Sequence, residues 1–136
     1  MIGGLIEKEK RRLLEKKPGK GYAHLPTAAE LRGRTIKVSF RETEPAQHFL
    51  DLGFHISFSG VITFVKEYEE LVSFVPLDRI LPETDAPFAT PTPYRGTRNH
   101  PEYVLEVVKK VAEVKGLSFE DTQKQLLENT KNLFLV

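Results

Sequence analysis

The chain is 136 residues long, 40% apolar and 29% charged, with a formal net charge of +1 and no cysteine. That length suffices for one domain with its own core, and the composition excludes disorder. Near-neutral charge gives no overall attraction to nucleic acid, and the missing cysteines exclude a disulfide, a thiolate metal site and a thiol nucleophile, leaving His, Asp and Glu to hold any metal.

The N-terminal residues Met1 to Ile6 run at once into Glu7, Lys8, Glu9 and Lys10. No signal peptide or membrane span is expected there, so the cytoplasm is the default location and a membrane is not an expected partner. Residues 4–17 predict a short amphipathic helix with Leu5, Leu13 and Leu14 apolar, stopped by Pro18-Gly19. Over residues 1–20, seven basic side chains (Lys8, Lys10, Arg11, Arg12, Lys16, Lys17, Lys20) stand against three acidic ones (Glu7, Glu9, Glu15). This is either a solvated helix face or a local contact for nucleic acid or a protein partner. The Gly, Pro and Thr content of 20–33 predicts a loop, so residues 1–34 form a segment of unassigned origin ahead of the α/β part, 35–136.

Thr35 to Phe40 alternates and is rich in β-branched residues, predicting a strand, and Glu44 to Leu52 predicts a short helix ending at Gly53. Phe54 to Phe58 is a second strand running into the Ser59-Gly60 turn. Lys66 to Phe74 is helical, with Tyr68, Leu71 and Val72 on one face. Arg79 to Glu83 is a third strand, in which Pro82 removes a backbone donor and so argues for an edge or a bulge. Four prolines between Asp85 and Pro101 (Pro87, Pro91, Pro93, Pro101) require a long loop. Glu102 to Lys115 carries Val104, Val107, Val108 and Val111 at helical spacing and stops at Gly116. Ser118-x-x-Asp121 then caps a last helix whose apolar side is read as Leu126, Leu127 and Leu133. Strands alternating with helices point to a parallel sheet of βα units.

In such folds ligand sites form where the C-terminal ends of the strands meet their loops, and Asp85 follows the third strand. Read from the residues alone, Asp85 either makes an Asx-type turn before Pro87 or is a carboxylate placed for a cation. The four histidines, His24, His48, His55 and His100, show no ligand spacing on one element and read as surface or packing residues. No phosphate-binding glycine loop or Gly-x-Ser-x-Gly elbow is present, and Phe58-Ser59-Gly60 has no neighbouring base to activate Ser59.

Glu83-Thr84-Asp85-Ala86-Pro87, with Pro93-Tyr94-Arg95-Gly96-x-Arg98-Asn99-x-Pro101 after it, resembles the C-terminal signature of the TatD family of metal-dependent hydrolases. Phe49-Leu50-Asp51-Leu52-Gly53-Phe54 and Ile56-Ser57-Phe58-Ser59-Gly60 resemble that family's penultimate βα unit, and Glu128 to Phe134 its closing helix. The resemblance implies an α/β fold of the (β/α)8 TIM-barrel type hydrolysing phosphodiester bonds, typically as a deoxyribonuclease with DNA as partner and a one- or two-metal site. Asp85 matches the last-strand metal ligand, a carboxylate that holds the metal and can orient or deprotonate the attacking water while the metal polarises the phosphoryl oxygen. Arg95, Arg98 and Asn99 match a loop that either orders the site mouth or meets the phosphate, a substrate-binding role.

The departures are as plain as the matches. The family's His-x-His pair, its central Glu and its later single histidines have no counterpart here. Where the family often reads His-Cys-Phe-Ser-Gly, this chain has Val38-Ser39-Phe40-Arg41-Glu42. A full barrel needs about 250 residues, so the expectation is a partial barrel of three to four parallel strands with flanking helices, and self-association into a homo-oligomer is one way to cover the open sheet edges. The divalent metal is Mg, Mn or Zn, or absent from this chain. Two readings follow: a truncated TatD-type hydrolase, or a non-catalytic remnant serving as a small structural or partner-binding α/β domain.

Overall fold

The computed structural model describes the backbone of residues 35–37 and residues 43–135. The predicted helix at 4–17, the loop at 20–33 and the end of the first predicted strand lie outside the described residues. Three parallel strands, β1 (Thr35–Lys37), β2 (His55–Phe58) and β3 (Ile80–Pro82), pair in the order β1-β2-β3. Helix α1 (Thr43–Asp51) connects β1 to β2, and α2 (Glu69–Phe74) lies between β2 and β3. Helices α3 (Val104–Lys115) and α4 (Phe119–Phe134) complete the chain.

The helix stops follow from glycine. Gly53 takes φ +81°, which allows its N–H to reach Leu50 O (2.9 Å) and the N–H of Phe54 to reach Phe49 O (3.0 Å). The Phe49 and Phe54 rings then meet edge-on at 5.6 Å, so the turn out of α1 is closed by polar and apolar contacts together. Gly116, at φ +65°, ends α3 in the same way, with the N–H groups of Gly116 and Leu117 donating to Glu113 O and Ala112 O. At the start of α4, Ser118 Oγ accepts from the Asp121 N–H at 3.1 Å, as the capping pattern predicts. The Asp121 carboxylate accepts from that same hydroxyl at 2.7 Å instead of reaching back to the Ser118 backbone.

The core lies on one face of the sheet. Ile56 and Ile80 are register partners, and with Phe58 they pack against Leu71 and Val72 of α2, Val107 and Val111 of α3, and Leu126 of α4. Each such side chain, fully buried, contributes about 1.5–3 kcal/mol. Residues 66–74 are helical as expected, a 3-10 turn (Lys66–Tyr68) leading into a short α-helix. One expectation needs correction. Leu127 does not join the apolar side of α4 but is 53% exposed, because successive helical residues are turned by about 100° and Leu126 already occupies the inward position. A 3-10 turn at Gly60–Thr63 was not expected beyond the Ser59-Gly60 turn. Pro82 ends β3, which is an outer strand among the described residues, in keeping with its missing donor.

Candidate functional site

Parallel pairing brings the C-terminal ends of β2 and β3 side by side. Ile56, Phe58 and Ile80 face the helices, so the two-residue period turns Ser57 and Leu81 to the opposite face. Beyond Pro82 the chain stays extended for one more bond, the Glu83 N–H donating to Phe58 O at 2.9 Å. This sets Glu83 on the same face as Ser57, whose hydroxyl donates to Glu83 Oε2 at 2.9 Å. Two residues further, Asp85 lines a cleft of about 60 Å³ together with Ser57, Ser59, Val61 and Tyr68. None of the residues lining the cleft is basic, and its volume admits an ion-sized guest or one or two waters.

The loop after Asp85 is held by its own polar groups. The Phe88 N–H donates to Asp85 O at 2.6 Å, Asn99 Nδ2 donates to Phe88 O at 2.6 Å, and the Asn99 N–H donates to Pro87 O at 3.1 Å. Asn99 is 3% exposed, so it ties the two ends of the loop together from inside. Arg95 Nη1 donates to Thr90 O at 2.8 Å, and its guanidinium lies over the Phe64 ring, 3.7 Å from the centroid. The exposed Arg98 lines a separate open depression with Ala86, Pro87, Asn99, His100 and Pro101. The four residues singled out in the sequence therefore divide: Asp85 lies in the strand-end cleft, Asn99 and Arg98 border the neighbouring depression, and Arg95 braces the loop.

Sequence reading missed Ser57 and Glu83, although both alternate with core residues and so share the face of Asp85. It also missed the close approach at Gly60, where a Cβ would stand 2.5 Å from Ala89 O. Among the described residues no three His, Cys, Asp or Glu side chains converge on one point. Asp85 and its hydroxyl neighbours do not amount to a metal site by themselves, since such sites use three or more protein ligands.

The TatD related DNase family matches residues 22–135. The chain belongs to the TatD family. It is 40% identical over 110 residues to the uncharacterized metal-dependent hydrolase YabD of Bacillus subtilis, which covers 79% of this chain and 43% of that protein. It is 41% identical over 104 residues to the uncharacterized metal-dependent hydrolase YcfH of Escherichia coli K12, covering 75% of this chain and 39% of the relative. Among solved structures it is similar to the TatD homologue YjjV of E. coli K12 (TM-score 0.70, 28% identity, 77% of this chain and 41% of that one). A hydrolase of the TatD family from Entamoeba histolytica shares the fold (TM-score 0.65, 16% identity, 73% of this chain and 41% of that one). The chain's match thus spans about two fifths of the length of these relatives. Among the described residues no helix is long and apolar enough to cross a membrane.

Proposed function

We propose that this chain forms part of a (β/α)8 barrel that hydrolyses phosphodiester bonds in DNA with a divalent metal, Asp85 being one of the metal's ligands. The observation that carries the reading is the position of Asp85: a carboxylate at the C-terminal end of a parallel strand, lining a hydroxyl-walled cleft, in a chain of the TatD family. The remaining ligands come from outside the described residues, either from this chain or from a second copy that also covers a sheet edge. Arg98, at the rim of the adjoining depression, is placed to meet a phosphate. Arg95 and Asn99 serve substrate binding by holding that rim in shape.

The test is hydrolysis of a DNA oligonucleotide by the purified chain in Mg²⁺, Mn²⁺ and Zn²⁺, beside Asp85→Ala. Activity in the parent that disappears in a variant with unchanged circular dichroism supports the reading. No activity in either protein overturns it for this chain. The second reading then stands, a small α/β domain with the family's packing and no catalysis.

A further inference from the structure

Ser59 stands at the N-cap position of the 3-10 turn Gly60–Thr63, where a serine hydroxyl ordinarily accepts from a backbone N–H of the turn, yet its side chain makes no such bond. The residue is 6% exposed, and its hydroxyl has no hydrogen-bond partner among the described residues. The turn holds without it: Ser59 O accepts from the Ile62 N–H at 3.3 Å, and Thr63 Oγ1 donates to Gly60 O at 2.7 Å. A buried hydroxyl without a partner costs stability that an alanine would not, so its use lies elsewhere. Ser59 lines the strand-end cleft that Asp85 also lines. Phe58, Val61 and Ile62 make the apolar part of its wall, and the Ser57 hydroxyl gives its hydrogen to Glu83 Oε2. A water in so small a cleft needs at least two polar partners. Asp85 supplies an acceptor and Ser59 a donor.

We propose that Ser59 is a positioning residue: its hydroxyl donates to a water in the cleft whose own hydrogen is accepted by the Asp85 carboxylate. A carboxylate has two oxygens, so one accepts from this water while the other remains for a metal ion. Two fixed contacts set the direction of the water's remaining lone pair. The inference rests on the phosphodiester reading above, in which this water is the nucleophile. Its oxygen bonds to phosphorus as the P–O bond to the leaving strand breaks, its proton passes to Asp85, and the departing alkoxide takes a proton from solvent.

The test is a set of crystal structures that show ordered water: the parent, Ser59→Ala, and Ser59→Thr, which keeps the hydroxyl. In the parent and in Ser59→Thr a water is expected at roughly 2.6–3.2 Å from both that hydroxyl and an Asp85 oxygen. In Ser59→Ala it should be gone or moved away from Asp85, with the urea midpoint little changed because the turn does not use this side chain. No water at the site, a hydroxyl bonded to protein instead, or a water that keeps its place in Ser59→Ala each overturns the inference. Kinetics on a DNA oligonucleotide give a second readout: kcat lower by on the order of a hundredfold in Ser59→Ala, the usual effect of a misplaced reactant, with KM unchanged and kcat restored in Ser59→Thr. The water is seen without turnover, so the two proposals fail separately. A water held by both residues in a chain without hydrolysis removes only the catalytic reading. Hydrolysis undiminished in Ser59→Ala removes only the role of Ser59.

Discussion

At the scale of single residues, Gly60 decides how the loop of the candidate site sits. A methyl group there would stand 2.5 Å from Ala89 O and 3.2 Å from the Pro91 side chain, and the first of these is backbone that cannot rotate away. Gly60→Ala is expected to lower stability by about 1–3 kcal/mol, the usual cost of forcing an extra carbon into a packed contact, read as a lower urea midpoint with an unchanged slope. Unchanged stability would mean that the loop rests elsewhere. The placement of Asp85 was legible in the sequence, because a carboxylate just after a strand must emerge at the strand's C-terminal end. Loop ordering was one of the two readings left open for Arg95, but its partners, the Thr90 carbonyl and the Phe64 ring, were not legible, since Phe64 follows a 3-10 turn with no apolar period to announce it. Ser57 and Glu83 were legible in principle: the alternation that places Ile56, Phe58 and Ile80 in the core places these two opposite.

Between elements, polar side chains join what the core packs. Asn129 of α4 donates from Nδ2 to Leu77 O (2.8 Å) and Ile80 O (2.9 Å), so a single amide fixes the closing helix to the start of β3. Asn129→Ala leaves the buried Ile80 carbonyl and the part-buried Leu77 carbonyl without this donor. At roughly 1–3 kcal/mol for each orphaned buried group, a loss of about 2–4 kcal/mol by urea unfolding is expected, and a loss under about 0.5 kcal/mol would refute the joint. Lys110 of α3 donates to Glu69 of α2 (2.7 Å) and to Glu113 (2.9 Å). The ammonium holds the Glu69 carboxyl below its ordinary 4.5, and the two carboxylates hold Lys110 above its ordinary 10.5. The signs differ: the contribution of Glu69 is present above pH 4.5 and is lost as pH falls through the lowered value. That of Lys110 is present below pH 10.5 and is lost as pH rises through the raised one. In Lys110→Met the Glu69 carboxyl should titrate upward toward 4.5 by NMR, and the acid side of the stability profile should flatten. A Glu69 titration that does not move would show that the pair is not formed in solution. The glycine stops and the valine stripe of α3 were legible because each is a local rule. The 3-10 turns and the outward face of Leu127 were not, since the first lack periodicity and the second depends on the phase of the whole helix.

At the scale of the whole molecule, the alternation of strands and helices announced a parallel sheet, but nothing local says how such a sheet closes. Among the described residues β1 and β3 have strand partners on one side only, and the match covers only 43% and 39% of the relatives' length. A strand-end site is a property of the assembled sheet: a cation bound by Asp85 and by donors from other strands joins elements that must separate on unfolding. Binding to the folded state alone raises stability by about 2.7 kcal/mol at a free concentration a hundred times the Kd. If the proposed metal site is complete, Mn²⁺ or Zn²⁺ should therefore raise Tm in the parent chain, and Asp85→Ala should remove the rise. Should the missing ligands belong to a second copy, the rise should also grow with protein concentration, since the bound form is then an oligomer. A rise independent of protein concentration places every ligand in one chain. No rise at any concentration means that Asp85 stands alone, because one carboxylate in a cleft lined by hydroxyls cannot hold a divalent ion against water.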